Sequence, residues 1–289
     1  MPFDKYLNPK LNIKPDISVL APLDFDEKIP KILHQTYSTR QIPQPLSDNI
    51  SKIKKLNPDW EYRFYDDTDI VRFIKENYDS KILKIFLRIN PKYGAARADL
   101  FRYLLMYVCG GVYLDIKGSL AKPLNSVIRT DDEFLLSRWH DKNDEQHKGW
   151  GVHDEPDHER FEEFQQWYIV AAPGHPFLKA VIQNVLRNIE TYNPAFHGVG
   201  KPGVLRVTGP VAYTLAIQPI LKLHPHRFVF SKSELGFEYS IFKSSDGHNN
   251  MFKVHYSDLQ ESVVKLGCIK RLEVSVLNSL KKIKAALLS

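Results

Sequence analysis

GAARADLFRYLLMYVCGGVYLDIKGSL, residues 94–120, sets the architecture of the chain. Ala96, Leu100, Tyr103, Leu104 and Tyr107 recur at helical spacing, and Gly110-Gly111 ends the helix and turns the chain straight into VYLDI, a short apolar strand. Such a turn delivers Asp115 to the carboxyl end of a strand, where ligands of open α/β sheets bind. Tyr113 and Asp115 share one strand face, and Lys117 joins them if the strand continues. Asp99 and Arg102, three residues apart, share one face of the preceding helix. Spacing alone favours an ordinary surface ion pair, worth little; the functional alternative turns both toward the cleft that holds Asp115. An aromatic, an acid and a base at a strand end suit a sugar or a nucleotide. Strand ends also carry charge for solubility, so the trio by itself is weak evidence.

Working outward, KIPKILHQTY has Ile32 and Leu33 at its centre and opens the fold as a buried strand. PLSDNISKIKKLNP places Ile50, Ile53 and Leu56 at helical spacing, with Ser47 or Asp48 positioned to cap and Pro58 to stop it. DWEYRFYDD alternates aromatic and polar residues as a second strand, and Asp66, Asp67 and Asp69 start a helix through Ile70, Phe73 and Ile74. Strand and helix in alternation predict an α/β sheet with parallel pairing. Further on, DEFLLSRW and QQWYIVAAP read as strands, and HPFLKAVIQNVLRNIE as a helix with Leu178, Val181, Ile182, Val185 and Ile189 inward. Residues 140–160 read as an exposed polar loop. Its histidines, His140, His147, His153 and His158, have spacings of seven, six and five that fit no regular metal site. GVGKPGVLRVTGP reads as a loop leading into a helix at Pro210, and lacks the residue order of a phosphate-cradling P-loop.

The 289 residues are 43% hydrophobic and 26% charged, as in a folded globular chain. The first 28 residues hold four prolines and no sustained period, which predicts an arm wrapped on the body. The start lacks an apolar core behind a basic head, and no later run approaches a membrane span, so a cytoplasmic location is expected. Cys109 and Cys268 stand in no metal-ligand spacing and are expected to be buried thiols. From Lys265 to Ser289, six basic residues face Glu273 alone, a net +5 of the chain's +6. The rest of the molecule is nearly neutral, which argues against a nucleic-acid-binding surface. In that last segment Ile269, Leu272, Val276, Leu280, Ile283 and Leu287 form one stripe with lysines beside it. Two readings stand at even odds: a helix lying on an anionic inner membrane, or one packed on the domain with solvated lysines.

IPKILHQTY, NPDWEYRFYDD, ARADLFRYLLMYVCGGVYLDIK and TGP, in this order, resemble glycosyltransferase family 32, whose sugar-binding region carries a DXD motif. The resemblance covers residues 29–130 well and continues faintly to about 256. It implies a GT-A-like (Rossmann-like) sheet flanked by helices, a nucleotide-diphosphate sugar as donor and retention of anomeric configuration. Carried over by position, His34 and Gln35 lie at the first strand end near the nucleotide, Asp99 holds hydroxyls of the donor sugar, and Arg102 sits by the sugar or its phosphate. Tyr113 lines the donor pocket, Asp115 is the first acid of the motif, and His255 falls where the family often has a histidine close to the metal. Lys117 stands where the second acid ordinarily ligates Mn2+ or Mg2+. The need is to stabilise negative charge on a departing diphosphate, which a divalent ion meets and a fixed cation also meets. Three readings follow: a metal-independent enzyme using Lys117, a metal site built from Asp115 and other ligands such as His255, or an inactive descendant. Intact Asp99, Arg102, Tyr113 and Asp115 argue against the last.

The sequence thus predicts an arm over residues 1–28, a GT-A-like domain over 29–264 and a basic amphipathic helix over 265–289. The expected activity is sugar transfer from a nucleotide sugar to a saccharide or lipid-linked glycan acceptor, in bacterial surface-polysaccharide synthesis, with peripheral attachment to the inner membrane. The competing class is a sugar-nucleotide or glycan-binding protein of the same fold without catalysis. Turnover separates the two.

Overall fold

The computed structural model describes residues 20, 23, 28–140, 147, 149–155, 158–242, 256–267 and 274. The expected arm and basic helix, along with Cys268 and His255, lie outside the described residues, apart from isolated positions in the arm and helix.

The chain opens as predicted. β1 (Ile32–Thr36) pairs in parallel with β2 (Glu61–Tyr65) across the crossover helix α1 (Gln44–Leu56). Ser47 and Asp48 do not cap α1. It begins at Gln44, behind Pro43 and with Pro45 in its first turn, where a missing N–H has no partner to lose; both expected caps lie inside it. α2 (Asp67–Asn77) does start on its acids: the Asp66 side chain accepts from the backbone of Thr68 and Asp69, and Asp69 returns the bond to Asp66 N. α3 (Ser80–Arg88) follows, and α4 (Gly94–Cys109) leads through Gly110 into β3 (Gly111–Leu114).

The Gly110-Gly111 turn is obligatory. Both residues have positive φ, and a Cβ on Gly111 would run into the Ile32 carbonyl on the neighbouring strand. Gly111→Ala is expected to cost about 3 kcal/mol, read from urea unfolding, because backbone on both sides of the clash is held in the sheet.

Beyond β3 come β4 (Ser119–Leu120), the short helix α5 (Leu124–Val127), β5 (Phe134–Leu136), β6 (Val152–His153), β7 (Phe161–Glu162) and β8 (Tyr168–Ala171). The last part contains α6 (Pro176–Thr191), α7 (Pro194–His197), α8 (Gly200–Val207), α9 (Pro210–Ile217), β9 (Arg227–Phe228) and β10 (Phe237–Glu238). Six strands form one sheet in the order β2-β1-β3-β8-β5-β9. β8 runs antiparallel to both β3 and β5, while β1–β2, β1–β3 and β5–β9 are parallel, so the sheet is mixed rather than wholly parallel. Helices cover it, and the architecture is the GT-A-like α/β sheet that the sequence predicts.

Alternation along the central strands sorts side chains between two cores. Tyr113, Ile169, Ala171 and Phe134 face the core built with α4, α6 and α9, whereas Val112, Leu114, Val170 and Leu135 face a second cluster with Leu33, Trp60 and Trp167. Asp115 continues the Tyr113 face toward α4. This helix is buried on nearly every side, including at Asp99 and Arg102.

Two loop readings need correction. Residues 200–207 of GVGKPGVLRVTGP form α8, because Val204 and Val207 pack inward and Pro202 lies in the first turn. Among the described residues of 140–160, β6 pairs with β7 just beyond them and His147 is buried against Trp139 and Trp150, so these residues do not form a simple exposed loop. The helical run 200–223 is long and apolar enough by composition to match a membrane span, which the sequence reading did not foresee. Half of its most apolar window is buried in the fold, as in a core helix, and Gly209-Pro210 interrupts it.

Candidate donor site

Four predicted residues meet at the end of β3. Arg102 Nη2 lies 3.2 Å from Asp99 Oδ1 and 3.1 Å from Asp115 Oδ1, and the guanidinium carbon stands 4.8 Å from the centroid of the Tyr113 ring. The Tyr113 hydroxyl donates to Asp115 Oδ1 over 3.2 Å. One arginine therefore ties the helix that enters the Gly-Gly turn to the strand that leaves it. The surface ion pair that spacing favoured does not occur: Asp99 and Arg102 are 3% and 4% exposed. α4 is sunk among other elements, so its polar face closes on buried partners instead of on water.

β8 completes the cluster from across the sheet. Because Leu114 pairs with Tyr168, the backbone just before β8 runs alongside the end of β3. Arg102 Nη1 donates to the Gln166 carbonyl at 2.7 Å, and Asp115 N donates to the Trp167 carbonyl at 2.8 Å. Both oxygens of Asp99 are occupied: Gln166 Nε2 donates to Oδ1 at 3.1 Å and Thr208 Oγ1 to Oδ2 at 2.9 Å. Tyr103 braces these partners, its single hydroxyl proton shared between Gln166 Oε1 at 3.0 Å and the Thr208 carbonyl at 2.9 Å. Asp99 thus lies beneath Arg102 as its positioner, while Asp115 is the most open member, its side chain 23% exposed.

Electrostatics follow from that burial. Burial raises the Asp99 carboxyl above the usual carboxylate range, outweighing Arg102, Gln166 and Thr208, which pull it down. Burial likewise holds the Tyr113 phenol well above its ordinary value. Arg102 remains charged: burial opposes its proton, but Asp115, Tyr113 and Asp99 favour it, and the net shift is upward.

His34 and Gln35 lie near the end of β1, as expected, and are fully buried. By register His34 lies opposite Tyr113 on the α4 face, completely buried, with Nε2 3.1 Å from the Gly110 carbonyl and Nδ1 3.2 Å from the Tyr65 hydroxyl. A carbonyl only accepts, so Nε2 carries the proton and Nδ1 accepts from Tyr65. His34 is a strut under the Gly-Gly turn. Gln35, also buried, donates from Nε2 to the Asp115 carbonyl at 3.3 Å and accepts from the Tyr62 hydroxyl at 3.0 Å. Both residues brace the backbone of the Gly-Gly turn and of Asp115.

Burial lowers the His34 pKa from 6.5 to about 4. The unfolded chain takes up this proton at higher pH than the folded one, so stability is full above pH 6.5 and falls as pH drops toward 4. The cost is about 2 kcal/mol between pH 7 and pH 5. His175, lowered to about 4 by burial, adds the same trend. In urea unfolding, His34→Gln is expected to remove its share of this slope while His175 keeps its own.

Lys117 does not extend the strand face. β3 ends at Leu114, and Lys117 falls in the following turn. Its Nζ donates to the Tyr239 hydroxyl at 2.9 Å and stands 4.1 Å from that ring's centroid. Ile241 N caps the Lys117 carbonyl at 2.9 Å. The cation is therefore placed by residues 239–241.

Among the described residues, no three His, Cys, Asp or Glu side chains converge as a metal site. Asp115 Oδ1 already takes Arg102 and Tyr113, and a base occupies the next position that would supply an acid. The described residues alone assemble no divalent-ion site, His255, the other expected ligand, lies outside them, and the chemistry below uses none. The histidines of 140–160 do not gather either: His153 Nε2 meets Glu163 at 2.5 Å, whereas His147 packs among aromatics. Cys109 is half-buried, and burial raises its thiol pKa.

Residues 43–135, which contain α4, the Gly-Gly turn and Asp115, match the family described as "Glycosyltransferase sugar-binding region containing DXD motif". The chain carries a glycosyltransferase sugar-binding region of this family. Inositol phosphoceramide mannosyltransferase 1 of Schizosaccharomyces pombe is 27% identical over 188 residues, 64% of this chain and 50% of the relative. Mannosyl phosphorylinositol ceramide synthase SUR1 of Saccharomyces cerevisiae is 38% identical over 100 residues, 35% of this chain and 25% of the relative. The initiation-specific alpha-1,6-mannosyltransferase of the same yeast is 26% identical over 217 residues, 63% and 44% of the two chains. The chain spans half or less of the length of these relatives. Among solved structures, PaToxG glycosyltransferase is similar at a TM-score of 0.43 and 16% identity, covering 86% of this chain and 84% of that one. The UDP-bound glycosyltransferase domain of the YGT toxin has a TM-score of 0.45 and 8% identity, covering 90% and 91%.

Gln166, Tyr103 and Trp167 escaped the sequence reading. Each reads as a core or strand residue, and only the antiparallel pairing of β8 brings residues 166 and 167 to Asp115. Thr208 had a signal, the TGP tripeptide, whose threonine reaches Asp99.

Proposed function

We propose that the chain transfers a hexosyl group from a nucleotide-diphosphate sugar to a hydroxyl of a saccharide acceptor, with retention. The observation that carries this reading is Arg102 shared between Asp99 and Asp115 at the end of β3, inside the segment that matches the sugar-binding family. Asp115 accepts hydroxyls of the donor sugar; Asp99, Gln166 and Thr208 fix Arg102 beneath it. Lys117, set by Tyr239, faces the negative charge that builds on the departing diphosphate, the role of a preorganised cation. The bond from the anomeric carbon to the phosphate oxygen breaks and a bond to the acceptor oxygen forms on the same face. The acceptor proton passes to the leaving phosphate oxygen.

The relatives named above are fungal mannosyltransferases, which moves the reading from bacterial surface polysaccharide toward mannosyl transfer to a glycan or an inositol-phosphate-bearing acceptor. The test supplies GDP-mannose and UDP-hexoses with methyl α-D-mannopyranoside as acceptor, with and without chelator, and follows the product by NMR. An α-linked product that forms in chelator is expected. A β-linked product overturns retention, loss of activity in chelator overturns the role of Lys117, and nucleotide binding without product favours the binding-protein alternative.

A further inference from the structure

Residues 257–265 lie as a strap across the chain between α3 and α4. Asn90 N donates to the Val263 carbonyl at 2.8 Å, Asn90 Nδ2 to the Ser262 carbonyl at 3.1 Å, and Lys265 N to the Arg88 carbonyl at 2.8 Å. Val263 and Val264 are fully buried, and Ile89 and Val264 form an antiparallel bridge.

One hydroxyl gathers the strap and two helices. Tyr93, completely buried, stands immediately before α4. Its hydroxyl donates to the Glu261 carbonyl of the strap at 2.6 Å and accepts from Gly200 N, at the first residue of α8, over 2.9 Å. The first N–H groups of a helix have no partner inside it, and Val199 gives α8 no side-chain cap, so Tyr93 supplies that partner from another element. The strap itself closes on α8. A Cβ on Gly200, whose φ is +58°, would stand 2.8 Å from the Ser257 carbonyl oxygen, and one on Gly203 would stand 2.8 Å from Val263 Cγ2. Approach this close fixes where α8 begins.

α4 and α8 meet again about two turns further on. Asp99 lies six residues beyond Tyr93, and Thr208, which ends α8, lies eight beyond Gly200. There Thr208 Oγ1 donates to Asp99 Oδ2 at 2.9 Å, and the Tyr103 hydroxyl stands 2.9 Å from the Thr208 carbonyl. A helix as short as α8 carries a displacement of its start through to its end, and a hydrogen bond of this length is lost within about 1 Å of movement.

We infer that Tyr93 is a positioning residue of the donor site: its hydroxyl, held by the Glu261 carbonyl, sets where α8 starts and thereby where Thr208 meets Asp99 beneath Arg102. The inference rests on the transferase reading only for its effect on turnover.

Tyr93→Phe keeps the ring and deletes the hydroxyl; Thr208→Val keeps the shape and deletes the donor to Asp99. Nucleoside diphosphate release is read at a temperature where circular dichroism shows each variant folded. Each single change is expected to lower kcat about tenfold. The double variant should fall no lower than the weaker single, because the second change has nothing left to act through. A loss in the double equal to the product of the two would mean independent effects and overturn the inference, as would wild-type kcat in Tyr93→Phe. A second readout needs no turnover. The Gln166 side-chain amide donates to Asp99, so its 15N-labelled signal is expected to move in Tyr93→Phe in the same direction as in Thr208→Val. An unmoved signal would mean that Tyr93 only packs locally, which overturns the inference. If Tyr93→Phe fails to fold, Val263→Ala, which trims the strap where it rests on Gly203, goes through the same cycle with the same outcomes. No release from any nucleotide sugar sinks the transferase reading and leaves the Gln166 signal to decide the positioning role, whereas release with an unmoved signal does the reverse.

Discussion

Asp115→Asn is expected to lower nucleotide-sugar turnover by about 10²–10³-fold. The asparagine matches the carboxylate in shape and keeps the backbone bond from residue 115 N to the Trp167 carbonyl. It removes the negative charge that Arg102 Nη2 faces at 3.1 Å and weakens the acceptor for the Tyr113 hydroxyl. Asp115 is the cluster member with the most solvent contact, so the loss falls on substrate handling and the unfolding midpoint moves little. Steady-state rates with the turned-over donor, read beside urea unfolding, check both halves. Near-wild-type turnover would remove Asp115 from the mechanism.

Arg102→Leu is expected to act on stability first. The guanidinium is the cation that two carboxylates share, and Asp99 is buried with no water to replace it. Removing one partner of such a group costs about 3–5 kcal/mol. The loss depends on pH with a definite sign. A carboxyl whose pKa is raised on folding binds its proton more readily in the folded chain, so it costs nothing below the unfolded value near 4 and costs increasingly as pH rises through the folded value. Without Arg102 that folded value climbs further. The variant should therefore lie closer to wild type at pH 5 than at pH 8 in denaturant unfolding, and a pH-independent loss would point to packing of the arginine stem instead. Adding Asp99→Asn to Arg102→Leu should recover part of the stability at pH 8.

How far the sequence reaches can be judged residue by residue. The helix, the Gly-Gly turn and the strand were legible because each has a strong local signal: a 3.6-residue period, two positions that only glycine tolerates and an apolar run with an acid at its end. Spacing set Asp99 and Arg102 on one helix face and Tyr113 and Asp115 on one strand face; the family resemblance, not local geometry, joined the four into one site. What period could not show was depth. The Asp99–Arg102 spacing is identical for a solvated pair and a buried one, and only the covering of α4 by neighbouring elements distinguishes them. His34 and Gln35 were expected at the first strand end, and they lie there; what the strand's own residues could not show is that parallel pairing with β2 and β3 buries them. The antiparallel run of β8, which supplies Gln166 and Trp167, is a long-range pairing with no local signal. Residues 239–241, which place Lys117, are more than a hundred positions away from it.

The measurement that bears most directly on the Asp99–Arg102–Tyr113–Asp115 cluster is release of nucleoside diphosphate by the wild-type chain from a panel of nucleotide sugars, without acceptor and in the presence of chelator. The predicted result is slow, continuous release from one donor, abolished when Asp115 is replaced by asparagine in a chain that still folds. Tight nucleotide-sugar binding with no release from any donor, with or without acceptor and divalent ion, would contradict a transferase and make this site one that binds sugar nucleotides without turning them over.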